Sequence, residues 1–259
     1  MTQSAPEPRT GSRAIDRAVD LLNAFHDFDA DVSVSELCER LDLPLSTAHR
    51  IAQALVRGRF LVQDSETEKY YLGPALLTLG QLAGRRIGLL AANEILAEVV
   101  ERTGETAAIA VVRGSRASMV SWVESQQALR VHLGAGPVIA MHATAVGKLF
   151  LSLEPDRKAA VERLGPLMRY TPTTITDPRN LIKELAKIAE QGYSVNSEEM
   201  NESVRSLAVP IEDAGGTTVA ALCVEGPVQR ITDDRLDDVV ACMREAAPRI
   251  GQAASFLQI

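Results

Sequence analysis

The sequence predicts an α+β protein of two domains, and three observations carry that prediction. The first seventy residues hold three short amphipathic helical patterns followed by two strand-like runs around a polar turn. A leucine-rich helical stretch comes next. The rest of the chain alternates short Val-, Ile- and Ala-rich runs with amphipathic helices, the pattern of strands gathered in one sheet with helices laid on it.

Composition bounds what such a chain can be. Its 259 residues are 46% hydrophobic and 24% charged, a balance that supports packed cores. Residues 1–12 carry Pro6, Pro8 and Gly11 without the apolar stretch of a signal peptide, and are expected to form a disordered tail. No run reaches the roughly 18 apolar residues of a membrane span, so a cytoplasmic protein with no membrane partner is expected. Cys38, Cys223 and Cys242 are widely spaced and odd in number, which fits a reducing compartment and argues against cysteine-held metal. A net charge of −7 excludes a protein that coats nucleic acid through a broad basic surface, but leaves room for a local contact.

In the first helix, residues 13–26, the spacing of Ile15, Ala18, Val19, Leu22 and Phe25 predicts one buried stripe. Ser33 and Glu36 have the spacing of a capping box for a second helix with Val34, Leu37, Cys38 and Leu41 inside, where Cys38 is expected to pack as a small core residue. Pro44 is placed to occupy the first position of a third helix that Gly58 ends. On this third helix Ala48, Ile51, Ala52 and Leu55 share one side, and Ser46, His49, Arg50, Gln53 and Arg57 share the other. Arginine can bind guanine bidentately and glutamine adenine, while Ser46 and Thr47 stand where a helix N-terminus holds phosphate. Residues 60–62 and 69–72 bracket the polar stretch 63–68 as a hairpin, so the region 13–73 reads as a winged helix-turn-helix that contacts double-stranded DNA. The same polar face on a lone helix would read equally well as a solvated bundle face.

Residues 74–88 are expected to form a linker helix with Leu76, Leu77, Leu79 and Leu82, and a further helix carries Leu90, Ile95, Leu96, Val99 and Val100. Gly80, Gly84 and Gly88 recur every fourth residue, either as a seam for close helix contact or as a hinge. The domain 89–259 then offers strand runs at 106–113, 117–124, 129–133, 207–212 and 217–225, and helices at 144–153, 155–164, 180–191 and 233–256.

Several segments together resemble the IclR family of bacterial transcriptional regulators: Ile15-Asp16-Arg17-Ala18, Val34-Ser35-Glu36-Leu37, Leu43-Pro44-Leu45-Ser46-Thr47-Ala48-His49-Arg50 and Tyr70-Tyr71-Leu72-Gly73. Later come His142-Ala143-Thr144-Ala145-Val146-Gly147-Lys148, residues 192–199, and Ala208-Val209-Pro210-Ile211. The resemblance implies a GAF-like or profilin-like C-terminal domain that binds a metabolite, a linker helix that forms a homodimer or a dimer of dimers, and DNA contacts from Ser46, Thr47, His49, Arg50, Gln53 and Arg57. The wing tip departs from the family by being acidic, Asp64-Ser65-Glu66-Thr67-Glu68, which leaves Lys69 as its DNA contact. Carried over residue by residue, the effector pocket would comprise Val131, Leu133, Ala145, Val146, Asn196, Val204, Ser206, Cys223 and Glu225. Asn196, Ser206, Cys223 and Glu225 differ from what a keto-acid sensor of the family carries, so the effector should differ too. Glu225 stands at a strand end and faces either pocket or water.

The rival readings are a small-molecule binder or a hydrolase of GAF-like fold with no DNA role. A hydrolase lacks support in the motifs, because no G-x-S-x-G is present and Gly147-Lys148 lacks the flanks of a phosphate loop. His132 and His142 have no third ligand at metal spacing and read as structural or pocket-lining, Glu198-Glu199 as solvated or capping, and Trp122 as a packed aromatic. No cofactor and no catalytic residue are expected.

Overall fold

The structure, a computed structural model, describes residues 10–25, 28, 31–86, 88–113, 116–132 and 140–253, and the chain divides into two units, Met1–Ala83 and Gly84–Ile259. Most of the expected tail, residues 1–9, lies outside that description, as do Leu133, the 134–137 loop and the end of the closing helix.

In the first unit, α1 (Thr10–Ala24), α2 (Val34–Leu41) and α3 (Leu45–Arg57) enclose a core of Leu21, Ala24, Val32, Leu37, Ala52, Leu61 and Tyr70. Of the expected stripe, Leu22 and Phe25 pack against this core and Ala18 is half-buried. Ile15 and Val19 are exposed, because only the C-terminal half of the helix, through Leu21 and Ala24, reaches the core. The capping box of α2 forms as the sequence predicts: Glu36 N donates to Ser33 Oγ at 3.3 Å and Ser33 N to Glu36 Oε2 at 2.8 Å. Cys38 is half-buried. Asp42, at φ 51, closes α2, and Pro44 stands one position before α3, as its N-cap and not its first residue.

α3 ends at Arg57 with Gly58 as its C-cap, as the sequence predicts. Gly58 keeps right-handed backbone, and the left-handed residue is Arg59 at φ 60. Arg59 N donates to Val56 O at 2.9 Å and Phe60 N to Leu55 O at 2.9 Å, which recovers the last carbonyls of the helix. The wing follows as β1 (Leu61–Gln63) antiparallel to β2 (Tyr70–Leu72). Tyr70 also exchanges two backbone hydrogen bonds with Val32, of 2.9 and 2.7 Å, so the segment before α2 joins the wing. Then comes α4 (Pro74–Arg86). Of the recurring glycines, Gly80 has open space around it, a Cβ on Gly84 would come within 3.2 Å of the Leu89 side chain, and Gly88, at φ 80, is the N-cap of the next helix.

The second unit is built on one antiparallel sheet in the order β4-β3-β7-β6-β5. Its elements are α5 (Leu89–Thr103), β3 (Thr106–Arg113), β4 (Arg116–Val123), α6 (Ala145–Leu153), α7 (Arg157–Arg163), α8 (Pro178–Gln191), β5 (Ser194–Ser197), β6 (Val204–Glu212), β7 (Thr218–Pro227) and α9 (Leu236–Ala253). Alternation sends Ile109, Leu207, Val209, Leu222 and Val224 to one face, where α5 and α9 pack with Leu96, Val99, Met243 and Ile250. The opposite face presents Ala110, Ala117, Ala208, Ala221 and Cys223 to α6 and α8. Small residues there let the helices approach closely. Leu181, Leu185 and Ile188 of α8 are fully buried, each worth about 1.5–3 kcal/mol against exposure.

Two expectations need correction. Residues 129–132 are not a strand: Leu129 is exposed, and the segment bends across the end of the sheet. β5 takes the edge instead, and its sequence Ser-Val-Asn-Ser hides it, because its inner-facing positions are polar and break the apolar alternation that marks strands.

Gly147 fixes where α6 sits. A Cβ at this position would overlap the backbone of Met141, so the first turn of α6 rests directly on the segment that leads into it. Gly147→Ala is expected to cost about 1–3 kcal/mol through overpacking, measured by urea denaturation followed through Trp122, the chain's sole tryptophan. Unchanged stability would show that this contact yields without strain.

Candidate DNA interface and candidate ligand site

On α3, Ala48 and Ala52 are buried, whereas Ser46, His49, Arg50 and Arg57 are exposed. Thr47 is half-buried. No side chain caps the helix start, where Thr47 N donates to Pro44 O at 2.9 Å and the N–H groups of Leu45 and Ser46 precede the first backbone bonds. Gln53 is placed differently from its neighbours on this face. Its Nε2 donates to Gln63 Oε1 at 2.8 Å and to Tyr70 Oη at 3.2 Å, and Gln63 Nε2 in turn donates to Glu68 O at 3.2 Å. Gln53 thereby ties α3 to both strands of the wing, and reaching a base would require giving up those bonds. Helical spacing alone could not reveal this, since the partners lie in the wing.

The acids of the wing tip have backbone work to do. Asp64 Oδ1 accepts from Thr67 N at 2.7 Å, Thr67 Oγ1 at 2.9 Å and Glu66 N at 3.0 Å, and these bonds, that from Thr67 N foremost, hold its carboxyl below the usual range. Glu68 takes a left-handed position at φ 57. Lys69 follows it, half-buried at the foot of β2.

In the second unit the expected pocket residues come together across the strands. Register pairs Thr106 with Glu225, Glu225 with Ser206, and Ser206 with Asn196. The next row on the same face runs Trp122, Ala108, Cys223, Ala208 and Ser194. A polar row thus lies beside an alanine-rich one on the face that α6 covers with Ala145 and Val146. Val204 stands one pair further along β6, opposite Pro227. Val131 is brought in by its carbonyl, which accepts from Thr106 Oγ1 at 2.9 Å. Leu133 lies outside the described residues.

Glu225 retains some accessible surface, yet burial dominates its carboxyl and raises its pKa, against the neighbouring Cys223 thiol and Ser206 hydroxyl. Cys223 Sγ approaches Glu225 Oε1 at 3.7 Å, and its thiol is pushed well up by burial and by that neighbouring carboxyl. Ser206 is fully buried, and among the described residues its Oγ has no hydrogen-bond partner. Asn196 Oδ1 accepts from Glu199 N at 2.8 Å, which turns its amide NH₂ outward from that turn.

Two features here escape the sequence reading. Glu199 is neither solvated nor a cap. It is buried in an ion pair with Lys148 of α6, with Glu184 Oε1 of α8 at 3.9 Å from the same ammonium. Burial raises the Glu199 carboxyl in spite of Lys148. The signal available was a lysine on a helix otherwise made of Val146, Leu149, Phe150 and Leu151, apolar on every side. The turn that carries Glu199 is held from outside by Thr171 and Thr174, whose hydroxyls donate to Glu198 O and Glu199 O at 2.6 Å each. His142 is structural as expected, its Nε2 2.8 Å from Met168 O and its ring 5.8 Å from that of Tyr170. His132 instead sits beside Glu124, with Arg130 on the other carboxylate oxygen.

Comparison with known proteins assigns both units. Residues 14–65 match the model of the IclR helix-turn-helix domain, and residues 86–252 that of the bacterial transcriptional regulator IclR C-terminal domain. The chain is 33% identical over 243 residues to the HTH-type transcriptional regulator BhcR of Paracoccus denitrificans, covering 93% of this chain and 87% of the relative. It is 30% identical over 254 residues to the HTH-type transcriptional repressor AllR of Escherichia coli K12, covering 97% and 93%. Among solved structures, an IclR-type regulator from Silicibacter superposes with a TM-score of 0.80 at 27% identity, covering 93% of this chain and 96% of that one. An IclR homologue from Microbacterium hydrocarbonoxydans complexed with 4-hydroxybenzoate superposes with a TM-score of 0.73 at 26% identity, covering 93% and 98%.

The raised carboxyl of Glu225 sets a pH dependence of stability. The folded protein holds this proton more tightly than the unfolded chain, so the contribution is whole below the ordinary carboxylate range, about pH 4, and is lost as pH rises through the raised value. Glu225→Gln removes that loss. It is expected to be more stable than the parent protein at alkaline pH and to lose the advantage towards about pH 4, as read by urea denaturation across pH. Equal stability of the two proteins at every pH would mean that the carboxyl is fully solvated.

Proposed function

The chain belongs to the IclR family of bacterial transcriptional regulators, and from this premise we propose that α3 reads operator DNA while the polar row of the second unit binds the metabolite that tunes that affinity. The observation that carries the reading is the division of α3, apolar side buried and Ser46, His49, Arg50 and Arg57 outward. Among the described residues Arg50 has no ion-pair or side-chain hydrogen-bond partner, which leaves its guanidinium free for a base edge. Ser46 and Thr47 serve phosphate at the helix start, Lys69 serves it from the wing, and Gln53 contributes by positioning the wing or, on breaking its bonds, by touching a base.

The effector site of this reading comprises Val131, Leu133, Ala145, Val146, Asn196, Val204, Ser206, Cys223 and Glu225. It binds and does not turn over substrate, since Cys223, the group that would have to act as nucleophile, has its thiol held protonated by burial and by Glu225. The 4-hydroxybenzoate complex of the Microbacterium homologue supports a small organic ligand in this domain. Ligand occupancy alters operator affinity only as far as it prefers one of the two states.

Replacing Arg50 with alanine should cost about 1–3 kcal/mol of operator affinity and relax preference at one base position. The measurement is a gel shift of both proteins against a panel of single-base operator variants. Identical profiles would remove Arg50 from base readout.

A homodimer is part of the same reading, because recognition of paired half-sites needs a two-fold partner. Leu77, Leu79 and Leu82 of α4 are 66%, 51% and 59% exposed in the single chain, an apolar surface that dimerisation through this helix would cover. Light scattering at low micromolar concentration is expected to give twice the chain mass, and charged substitutions at Leu77 and Leu82 to give one. A monodisperse monomer that still binds operator tightly would refute it.

A further inference from the structure

The polar row on the α6 face carries more information than its location, because most of its hydrogen-bonding capacity is already allotted. Thr106 Oγ1 donates to Val131 O at 2.9 Å and accepts from Ser125 N at 3.1 Å, so it is spent. Asn196 has committed its oxygen to Glu199 N, and its NH₂ remains. Among the described residues Ser206 Oγ is buried without a partner. Glu225 has, among the described residues, the weak Cys223 thiol at 3.7 Å, with the Ser206 hydroxyl beside it but forming no hydrogen bond. What the row leaves open is therefore one carboxylate, one hydroxyl and one amide NH₂.

The cations that might have satisfied Glu225 are engaged elsewhere. Arg230 is held bidentately by Glu105 at 2.5 and 2.6 Å. That pair lies on the opposite face of β7, since a Cβ on Gly226 would overlap the Glu105 carboxyl. Arg205 pairs with Asp233 at 2.7 Å, and Lys148 with Glu199. Among the described residues no cation pairs with Glu225. A desolvated carboxylate without a donor is costly, and so is an unpartnered buried hydroxyl beside it. The two lie opposite each other in register, and one ligand can relieve both.

We propose that the effector presents a hydrogen-bond donor, hydroxyl or ammonium, to Glu225, with Ser206 bonding the same end of the molecule, and that small bare keto acids and dicarboxylates are rejected. This deepens the reading of the α6 face as the effector site and rests on it. A carboxylate brought to Glu225 meets a like charge with little water between them, whereas a hydroxyl or ammonium gives the proton the carboxylate lacks. The neighbouring row adds shape. Ala108, Ala208 and Cys223 are small, and Trp122 and Val146 supply apolar wall, which suits a compact, partly apolar body behind the donor.

The test uses the full chain and four probes: benzyl alcohol, benzylamine, benzoate and glyoxylate. Thermal shift and Trp122 fluorescence follow each titration. Benzyl alcohol or benzylamine is expected to bind at least about tenfold more tightly than benzoate and glyoxylate, and Glu225→Gln to erase most of that preference. A loss confined to benzylamine identifies an ammonium ligand, and a smaller loss for the alcohol identifies a hydroxyl. Ala208→Leu, checked for folding by circular dichroism, fills the face and should weaken every probe, and the milder Ser206→Ala should weaken the donor-bearing ones. Tighter binding of either acid, no binding of both donor-bearing probes at their solubility limit, or a donor preference that survives Glu225→Gln overturns the proposal. If folded Ala208→Leu and Ser206→Ala both bind the probes as the parent does, the failure lies in the site assignment itself.

Discussion

Lys148 carries an ammonium into the interior of the second unit, and the position of the candidate ligand site follows from how that charge is met. Removing one partner of a buried pair leaves an uncompensated charge at a cost of about 3–5 kcal/mol, so Glu199 must stay where Lys148 can reach it. Glu199 sits at the start of the turn between β5 and β6, and its backbone N–H is held by Asn196. Hence one ion pair sets both the seating of α6, with Ala145 and Val146 on the sheet, and the turn whose flanking strands bear Asn196 and Ser206. Gly147, pressed on Met141, allows α6 to come close enough for the pair to form. Glu198 and Ser203, at φ 60 and φ 63, accept left-handed backbone so that the turn can return to β6 in register.

The two faces of the sheet divide labour by residue size. Leucine, isoleucine and valine on the α5/α9 side make an ordinary close-packed core. Alanine, serine and cysteine on the α6 side leave room where side chains would otherwise meet, and polar groups at the β3 and β7 ends occupy that room. The strands can serve both ends because alternation separates them strictly: Glu105 and Gly226 belong to one face, Thr106 and Glu225 to the other.

Much of this was legible in the sequence, and the omissions have physical causes. Helical periodicity and the Ser33–Glu36 spacing located α1, α2 and α3, and apolar alternation located β3, β4, β6 and β7. Local pattern failed where the deciding partner was remote. Gln53 looks free on a helical wheel because Gln63 and Tyr70 lie on the wing, and Glu199 looks solvated because Lys148 is on another helix. β5 was hidden because an edge strand whose inner face lines a polar row has no apolar alternation to show.

An acidic chain that binds a polyanion has to keep its carboxylates from opposing its few cations, and the first unit shows how. Glu36 is folded into the capping box of α2, where two bonds from Ser33 hold its carboxyl below the usual range. Asp64 is turned inward on the backbone of its own turn, so the charge that appears in the sequence as a repulsive wing tip is partly neutralised by Thr67 and Glu66 N–H dipoles. Asp42 occupies the left-handed C-cap of α2. Acids placed for local backbone chemistry cost little at long range, because salt screens exposed charges beyond about 10 Å, whereas a cation at contact distance, the role proposed for Arg50, keeps its full effect. Net charge therefore bears on non-specific association, and in the proposed reading recognition depends on the side chains that α3 turns outward.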